Sequence, residues 1–330
     1  MTPIVFLMGP TAAGKTDLAV RLVARLPADI VSVDSAMVYR GMDVGTGKPP
    51  PALLARAPHR LIDIREVTDP YSAGDFRRDA MREIEAIRAR GRIPLLVGGT
   101  FLYFRALERG IAPLPRADPA VRTRLAGEGE RRGWPALHAR LAAVDPLSSR
   151  RIHPNDAQRI QRALEVFEVS GRPLSEWHGT EPASGALEGP VVRLALAPAD
   201  RAELHRAIRT RFRAMVERGL VEEVRGLAGR PGVGPHLPSM RAVGYRQVWD
   251  HLDGRTDHAA MVERAVAATR QLARRQLTWL RSLSGVRWID STGNAEAKAL
   301  DSVLCSPMKE PSTLRDSLQW TASRLSEKME

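Results

Sequence analysis

Short apolar runs alternate with segments of helical periodicity over the first hundred residues, and one further run follows near residue 191. Each run is five or six residues long, as expected for a buried strand. Phe76, Ala80 and Ile84 illustrate the helical spacing between the runs. This alternation predicts a doubly wound α/β fold with a parallel sheet flanked by helices. The predicted strands are residues 4–8, 29–33, 60–64, 93–97 and 191–196.

The pattern changes after Pro113, where helical periods continue without a convincing strand until a stretch rich in Gly, Pro and Ser at 179–190. We interpret this part as an all-helical insertion. Beyond it the chain is mainly helical, with long segments near 199–227 and 258–283, and apolar content thins from residue 291. The predicted divisions are a P-loop α/β core over 1–112, the helical insertion over 113–190, the rest of the core with Arg-rich helices over 191–290, and a weakly ordered tail or marginal helix over 291–330.

The first apolar run leads directly into a phosphate-binding loop. Residues 9–16 read G-x-x-x-x-G-K-T, and an amphipathic segment, 17–25, follows them. The glycines let backbone N–H groups turn towards phosphate oxygens, and the positive end of the helix points to the same place. Lys15 adds a cation, and the hydroxyl of Thr16 can ligate Mg²⁺. We expect phosphate contacts at Gly9, Pro10, Thr11, Ala12, Ala13, Gly14, Lys15 and Thr16.

Two more predicted strands end in polar residues at the edge where open α/β sheets bind ligands. Asp34 follows the second strand, and it is either a catalytic carboxylate or an aspartate that caps a turn. Gly98, Gly99 and Thr100 follow the fourth strand, where a nucleoside triphosphatase usually has an acidic residue for Mg²⁺ or water. Close backbone approach and a hydroxyl favour binding of a diphosphate over hydrolysis of a γ-phosphate.

Several basic residues have two interpretations each. A period of 3.6 places Arg211 on the same helical face as Ile208 and Phe212. Its guanidinium must therefore pair with an internal carboxylate or with a ligand phosphate. A helix capped near Asp156 has a charged face, and a later helix has a row of arginines, Arg270, Arg274 and Arg281. Each of these two features is either solvated or in contact with a polyanion. The charged face carries Gln158, Arg159, Gln161 and Arg162, with Ile160 in the buried stripe.

Composition narrows the class of protein. The 330 residues include 50 basic and 38 acidic side chains, a net charge of +12 that suits a nucleic acid partner. Only five of the basic residues are lysine, however, and so strong an arginine bias also reflects a GC-rich genome. The single cysteine, Cys305, excludes a disulfide framework and predicts a buried or incidental thiol. Because neither a signal peptide nor a membrane span is apparent, we expect a soluble cytoplasmic protein.

Several motifs along roughly residues 1–290 occur together in one known family. The phosphate-binding loop, D-S-A-M-V-Y at 34–39 and the G-G-T that ends at Thr100 are the first of these. The others are G-M-D-V-G-T-G-K-P at 41–49, H-P-N-D-A-Q-R at 153–159, V-G-Y-R-Q at 243–247 and T-R-Q-L-A-R-R-Q at 269–276. With these motifs the chain resembles the tRNA dimethylallyltransferases, although Met37 stands where many members have glutamine.

The resemblance implies transfer of a dimethylallyl group from dimethylallyl diphosphate to the exocyclic N6 of adenosine 37 in tRNA. The loop would then hold a diphosphate leaving group, and ATP would not be the ligand. Asp34 would accept the proton from N6, which is a poor nucleophile unaided. Charge that develops on the diphosphate would be stabilised by Lys15, by Thr16 with Mg²⁺, by Thr100 and, in one of its two interpretations, by Arg211.

The resemblance also implies that the adenosine is flipped out of the anticodon loop and that neighbouring bases are recognised individually. The helical insertion would hold the anticodon stem-loop, and the Arg-rich C-terminal helices would contact phosphates. We expect a monomer. The positions that match RNA contacts in the family are Asp34, Ser35, Ala36, Met37, Thr100, Arg122, Gln158, Arg159, Ile160, Gln161, Arg162, Arg241, Ala242, Val243, Gly244, Tyr245 and Arg246.

Three other functions are compatible with parts of the sequence. An ATP-binding small-molecule kinase explains the phosphate-binding loop equally well, but the missing acidic residue and the Arg/Gln-bearing insertion count against it. A nucleotide-gated RNA-binding protein would bind tRNA without prenyl transfer. A transferase acting on free AMP would share the chemistry, but the large insertion and the basic C-terminal helices favour a polymeric acceptor.

Overall fold

The computed structural model describes residues 2–179 and 187–305. The chain divides into two compact units. The first, which we call the sheet unit, consists of Met1–Leu107 and Glu188–Glu330, and the second, the helical unit, is Glu108–Leu187. The helical unit thus begins and ends within a few residues of the insertion predicted over 113–190.

Six parallel strands form the centre of the sheet unit. They are β1 (Ile4–Met8), β2 (Ala28–Val33), β3 (His59–Arg60), β4 (Ile93–Gly98), β5 (Val191–Ala197) and β6 (Val286–Asp290). Their order across the sheet is β3-β2-β4-β1-β5-β6, and every pairing is parallel. The predicted α/β fold with a parallel sheet is therefore confirmed. β3 is shorter than predicted, and β6 was not predicted at all.

The register brings the carboxyl ends of the central strands together. Leu7 lies opposite Val97 on one side and Leu194 on the other. Val33 in turn lies opposite Gly98. Because all the strands run in the same direction, the segments that follow them emerge at one edge of the sheet.

Helices cover both faces of this sheet. Those of the first segment are α1 (Lys15–Val23), α2 (Pro51–Arg56), α3 (Ala73–Ala89) and α4 (Phe101–Arg109). Ser72 and Asp75 form a capping box at the start of α3. Asp257 caps α13 (His258–Arg281) by accepting a hydrogen bond from the Ala260 N–H. The helices of the sheet unit that follow the insertion are α10 (Arg201–Glu217), α11 (Leu220–Ala228), α12 (Tyr245–Leu252), α13 (His258–Arg281) and α14 (Ala295–Leu304).

None of the helices within 2–179 and 187–305 is long and apolar enough to cross a membrane.

The helical unit has an apolar core of its own, in which Leu125, Leu141, Ile160 and Leu164 are buried. An aspartate caps three of its helices: Asp118, Asp145 and Asp156 accept hydrogen bonds from backbone N–H groups of the following turn. The all-helical character of the insertion is confirmed for the residues that the structure describes. Its helices are α5 (Pro119–Arg132), α6 (Trp134–Val144), α7 (Pro146–Arg151), α8 (Ala157–Ser170) and α9 (Leu174–Gly179).

The structure refines two expectations about the C-terminal part. The helical segment near 199–227 is interrupted at Gly219, whose φ of +94° lies in the left-handed region, so α10 and α11 are separate helices. Of the two alternatives given for 291–330, a helix is found in the described part: Ala299 and Val303 of α14 are buried against the core beneath the sheet. Residues 306–330 lie outside the described part of the chain. Cys305, at the end of α14, is exposed.

Candidate functional site

The phosphate-binding loop connects β1 to α1. Gly9 packs so closely against β5 that a Cβ at this position would lie 2.3 Å from the Leu196 carbonyl oxygen. Ala12 and Gly14 have positive φ angles, which turn the loop back towards the start of α1. The sequence motif thus folds as a compact turn at the amino end of a nine-residue helix.

Lys15 is the cation of this loop. Its ammonium group donates a hydrogen bond to the Pro10 carbonyl oxygen over 2.7 Å. Burial lowers the pKa of Lys15 to about 7, and the nearby positive charge of Arg211 acts in the same direction, whereas Asp34 opposes both. A lysine of this kind is prepared to accept an anion, because a negative ligand restores the stability of its charged form.

The carboxylate of Asp34 caps a turn, which is one of the two interpretations that the sequence left open. Its Oδ1 accepts hydrogen bonds from the N–H groups of Ala36, over 2.8 Å, and Met37, over 3.2 Å, as a turn-capping aspartate does. Its Oδ2 accepts none within the described residues. One oxygen therefore fixes the orientation of the side chain, and the other keeps its capacity to accept a proton or a hydrogen bond.

Thr100 connects the carboxyl ends of β2 and β4 through two hydrogen bonds. Its Oγ1 accepts a hydrogen bond from the Ser35 N–H over 3.1 Å, and its own N–H donates to the Val33 carbonyl oxygen over 3.3 Å. Gly98, just before it, approaches β2 so closely that a Cβ would lie 2.0 Å from the same carbonyl oxygen. Only glycine permits this approach.

Gln276 on α13 is a site residue that the sequence analysis did not select. Its Oε1 accepts the Thr11 N–H over 2.9 Å, and its Nε2 donates to the Gly99 carbonyl oxygen over 2.8 Å. The side chain therefore connects the phosphate-binding loop to the end of β4. A detectable signal existed: Gln276 is polar, yet it falls on the helical face that also carries Ala273 and Leu280.

Two adjoining cavities open at this edge of the sheet. One, of about 310 Å³, surrounds the phosphate-binding loop, and we call it the loop compartment. The other, of about 670 Å³, has mainly apolar walls, and we call it the apolar compartment. Asp34, Arg211 and Gln276 line both. The apolar walls include Phe101, Ile208, Phe212, Met215, Val243, Leu272 and Trp279.

Arg211 lies at the boundary between the compartments. Its Nη2 donates to the Thr46 carbonyl oxygen over 3.0 Å, and within 2–179 and 187–305 it forms no ion pair with a carboxylate. Burial lowers the pKa of Arg211, and the charge of Asp34 partly offsets this effect. In the described structure the guanidinium of Arg211 therefore contacts a carbonyl oxygen, and Asp34 is the carboxylate with the largest electrostatic effect on it.

Comparison with known proteins identifies the family. The sequence model of the IPP transferase family matches residues 37–283. The chain belongs to this family. It is similar to the tRNA dimethylallyltransferase of Thioalkalivibrio sulfidiphilus, at 59% identity over 87% of this chain and 90% of that protein. It is also similar to the tRNA dimethylallyltransferase of Alkalilimnicola ehrlichii, at 58% identity over 86% of this chain and 89% of that protein. It also resembles the solved full-length tRNA isopentenylpyrophosphate transferase of Bacillus halodurans, at 33% identity and a TM-score of 0.66 over 99% and 100% of the two chains.

In this member of the IPP transferase family, Tyr245 has a supporting position behind the site. Its fully buried hydroxyl donates to Glu223 over 2.6 Å, and burial and that carboxylate raise the pKa of Tyr245. Glu223 also accepts the N–H groups of Asp43, Val44 and Gly45. Tyr245 therefore positions Glu223, and Glu223 holds the backbone at 43–45, next to Thr46. Among the neighbouring predicted RNA contacts, Arg241, Ala242 and Val243 line the apolar compartment, Gly244 is buried, and Arg246 is exposed.

The predicted RNA contacts of the helical unit surround a buried carboxylate. Glu165 accepts hydrogen bonds from Arg122 Nε over 2.9 Å, Arg162 Nη1 over 2.7 Å and the Asp118 N–H over 2.8 Å. Burial alone would raise the pKa of Glu165, but these donors hold it below its usual range. Gln161 Nε2 in turn donates to the Arg122 carbonyl oxygen.

The remaining predicted residues of α8 differ in exposure. Gln158 and Arg159 are exposed on the surface of the helix, and Arg159 pairs with Asp156. Ile160 is fully buried in the core of the helical unit, so its side chain is not available for contact with RNA. The resemblance marked the whole run 158–162, whereas the structure separates its surface residues from its packing residue.

Proposed function

We propose that this chain transfers a dimethylallyl group from dimethylallyl diphosphate to N6 of adenosine 37 in tRNA and releases diphosphate. One observation carries the proposal: a phosphate-binding compartment and an apolar compartment meet at a single carboxylate, Asp34. A kinase would need the acceptor and a triphosphate at this junction, whereas an allylic diphosphate has one charged end and one apolar end. Membership of the IPP transferase family supports the same assignment.

The loop compartment is suited to the charged end of the donor. Backbone N–H groups at the start of α1, the ammonium of Lys15 and the guanidinium of Arg211 all favour negative charge there. When the C–O bond of the donor breaks, its electron pair goes to the diphosphate. Cations that are already in place stabilise that developing charge without reorganisation, which lowers the barrier.

The residues present are compatible with Mg²⁺ at this site. Thr16 and Asp34 both line the loop compartment, and a hydroxyl, a carboxylate and substrate phosphate oxygens are a typical ligand set for this ion. The described residues contain no group of three His, Cys, Asp or Glu side chains that could hold a metal on its own. Thr16 would hold the ion together with the phosphate oxygens of the donor. Bound Mg²⁺ would neutralise charge on the diphosphate.

The apolar compartment is suited to the allylic chain and to a purine. Ile208, Phe212 and Met215 on α10 provide an apolar wall next to Arg211. On the opposite helices, Phe101 and Trp279 stack with ring centroids 4.6 Å apart and an interplanar angle of 21°. Walls of this kind exclude water from the carbon that loses the diphosphate, which limits hydrolysis of the donor.

Asp34 is the proposed base. The N6 lone pair forms the new C–N bond to the allylic carbon, and the proton lost from N6 passes to Oδ2 of Asp34, the oxygen left open by the turn. Thr100 supports this geometry by holding Ser35, the next residue, through its backbone N–H. Positioning and charge stabilisation then supply most of the rate acceleration.

A tRNA acceptor requires that the adenosine be flipped out of the anticodon loop, because a stacked base cannot present N6 to a cavity. We propose that the exposed residues Gln158 and Arg159 of the helical unit contact the RNA, and that Arg122 and Arg162, which Glu165 holds in place, give their remaining N–H groups to it. Arg241 at the rim of the apolar compartment provides a further contact. The enzyme is proposed to act as a cytoplasmic monomer.

The test is a transfer assay with radiolabelled dimethylallyl diphosphate and unmodified tRNA, with AMP as the alternative acceptor. We expect label in the tRNA and little in AMP. Asp34→Asn should lower turnover by about 10²-fold or more, with tRNA affinity within a few-fold of wild type. Asp69→Asn, an exposed aspartate outside both compartments, serves as the control. Transfer only of a γ-phosphate from ATP, or unchanged turnover in Asp34→Asn, would refute the assignment.

A further inference from the structure

Residues 43–48, which we call the 43–48 loop, form one wall of the loop compartment through Thr46, Gly47 and Lys48. They are part of the motif G-M-D-V-G-T-G-K-P at 41–49. The phosphate-binding loop forms another wall of the same compartment. The 43–48 loop therefore lies beside the place proposed for the diphosphate.

Lys48 is the buried cation of the 43–48 loop, and its side chain is only 4% exposed. Its ammonium group donates to the carboxylates of Asp43 and Asp63, each over 2.5 Å, and to the Tyr39 carbonyl oxygen over 3.0 Å. An ammonium group has three N–H donors, so these three hydrogen bonds use all of them. Lys48 therefore lines the loop compartment without a donor left for a phosphate oxygen.

The ammonium of Lys48 joins three segments of the sheet unit at one point. Tyr39 ends a segment that begins with the turn at Asp34. Asp63 lies beyond β3, and its backbone N–H donates to the Met37 carbonyl oxygen over 3.2 Å. The φ of Asp63, +55°, is uncommon for a residue other than glycine, so contacts with its neighbours must maintain it. Lys48 thus fixes the 43–48 loop against the segments that follow β2 and β3.

The 43–48 loop in turn holds Arg211 of α10. The Thr46 carbonyl oxygen accepts a hydrogen bond from Nη2 of Arg211 over 3.0 Å. Gly47 has a φ of +66°, and a Cβ at this position would lie 2.3 Å from the same nitrogen. The guanidinium therefore occupies space that any other side chain at position 47 would fill. Glu223 of α11 accepts the N–H groups at 43–45, so the loop is held from a second direction.

We propose that Lys48 and Gly47 are positioning residues for the diphosphate site: Lys48 fixes the 43–48 loop, and the loop fixes the guanidinium of Arg211, for which Gly47 leaves the room. The proposal rests on the proposed function, because it takes the loop compartment to bind the diphosphate of the donor. A carbonyl oxygen carries no net charge, so Thr46 sets the position of the guanidinium and leaves its charge for an anion. Lys48 itself does not contact the diphosphate.

The first test loosens the 43–48 loop by a change that simple electrostatics would expect to favour anion binding. Asp43→Ala with Asp63→Asn removes two negative charges near the loop compartment and frees Lys48 from both carboxylates. Asp69→Ala with Asp301→Asn is the control, since it removes two exposed aspartates that line neither compartment. For both variants of the full chain, calorimetry gives the Kd for inorganic diphosphate, and steady-state kinetics give the KM values for dimethylallyl diphosphate and tRNA.

For the Asp43 and Asp63 variant we expect the Kd for diphosphate and the KM for the donor to rise about tenfold, because a misplaced guanidinium binds phosphate poorly. The KM for tRNA should stay unchanged. With Arg211→Gln added, diphosphate should bind no more weakly than in Arg211→Gln alone, since the loop acts through Arg211. Binding as tight as in the control, or tighter, would overturn the proposal. Further loss in the Arg211→Gln background would overturn it as well.

Gly47→Ala provides an independent arm, because it leaves Lys48 and its partners intact. The added methyl group has to displace the end of the Arg211 side chain, which is the flexible partner in this contact. Gly254→Ala is the matched control: its φ of +73° carries a similar backbone cost, but nothing lies within 4 Å of its Cβ. We expect the Kd for diphosphate to rise about tenfold in Gly47→Ala and to be unchanged in Gly254→Ala. Equal Kd values in these two variants would overturn the proposal.

Diphosphate binding is read without turnover, which separates this proposal from the proposed function. A wild type that binds diphosphate but never prenylates tRNA would refute the proposed function, and the comparisons of Kd would still decide the positioning role. A wild type that does not bind diphosphate would overturn both.

Discussion

At the scale of single residues, the site depends on a buried cation that is only partly charged near neutral pH. The pKa of Lys15 is lowered to about 7 because burial disfavours its charged form. Bound diphosphate places negative charge beside it and favours that form, so the pKa rises on binding. Between these two pKa values the free protein has lost the proton and the complex has regained it. Diphosphate binding above pH 7 is therefore coupled to proton uptake at Lys15.

The uptake can be measured by calorimetry of diphosphate binding at pH 8 in two buffers of different ionisation enthalpy. Wild type should take up a substantial fraction of a proton, and the uptake should fade as the pH falls below 7, where Lys15 is already charged. Lys15→Met should lose this component, whereas Lys298→Gln, outside both compartments, should keep it. Equal uptake in wild type and Lys15→Met would place the titrating group elsewhere.

Gln276 allows a second prediction at this scale, because its two hydrogen bonds have opposite polarity. Gln276→Glu keeps an acceptor for the Thr11 N–H but removes the donor to the Gly99 carbonyl oxygen, and it adds negative charge beside the loop compartment. Gln276→Leu removes both bonds without adding charge. We expect the KM for dimethylallyl diphosphate to rise about tenfold in the Leu variant and further in the Glu variant, because each hydrogen bond contributes about 1 kcal/mol.

Steady-state kinetics with donor and tRNA varied separately would check this role of Gln276. Gln271→Leu, on the exposed side of the same helix, is the control and should leave the KM for the donor unchanged. A lower melting temperature for Gln276→Leu with normal kinetics of the residual enzyme would show that the residue acts on stability only.

At the scale of elements, the sequence predicts the central strands well and the edge strands poorly. β1 and β4 are covered on both faces and are buried throughout, and β5 is mostly apolar apart from Arg193. The predicted bounds of all three strands are within one residue of the observed ones. β3 ends early because Leu61 and Asp63 have positive φ angles that an extended strand does not allow. β6 is an edge strand with exposed Arg287 and Trp288, and it has no continuous apolar run. The bounds of β3 and the presence of β6 therefore depend on tertiary contacts and not on the local sequence pattern.

The residues of the candidate site also differ in whether they could be predicted from the sequence. The phosphate-binding loop and the polar ends of β2 and β4 could be predicted because each is a contiguous motif next to a strand. Gln276 was missed because it is 265 residues from its partner Thr11, and Glu223 because it is 180 residues from Asp43. Ile160 was grouped with RNA contacts because the family motif is contiguous, whereas a helix alternates surface and core within five residues.

Close contact between β2 and β4 gives a prediction about stability. A methyl group at Gly98 would lie 2.0 Å from the Val33 carbonyl oxygen, and neither atom is on a flexible side chain. Gly98→Ala should therefore lower the free energy of unfolding by about 1 to 3 kcal/mol and disturb Thr100. Gly226→Ala in α11, with open space at its Cβ and ordinary φ, should raise stability by about 0.4 to 1 kcal/mol. Urea unfolding of both variants checks this, and equal stability would show that the strands can separate at no cost.

At the scale of the whole molecule, the two units have different predicted tasks. The sheet unit contains the loop and apolar compartments, and the helical unit contains exposed polar residues on a separately packed core. If the chemistry belongs to the first and part of RNA recognition to the second, substitutions in each should change different kinetic parameters. Gln158→Ala with Arg159→Ala should raise the KM for tRNA about tenfold and leave the KM for dimethylallyl diphosphate unchanged.

Two further variants, Lys15→Met and Ile160→Ala, test whether the two units have separate tasks. Lys15→Met should raise the KM for the donor and leave the Kd for tRNA within a few-fold of wild type. Ile160→Ala should instead lower the free energy of unfolding by about 2 to 5 kcal/mol, because it removes a fully buried side chain from the helical core. A loss of donor binding in the Gln158 and Arg159 variant would contradict the division, since no residue of α8 lines either compartment within the described chain. The helical unit would then act on the chemistry itself.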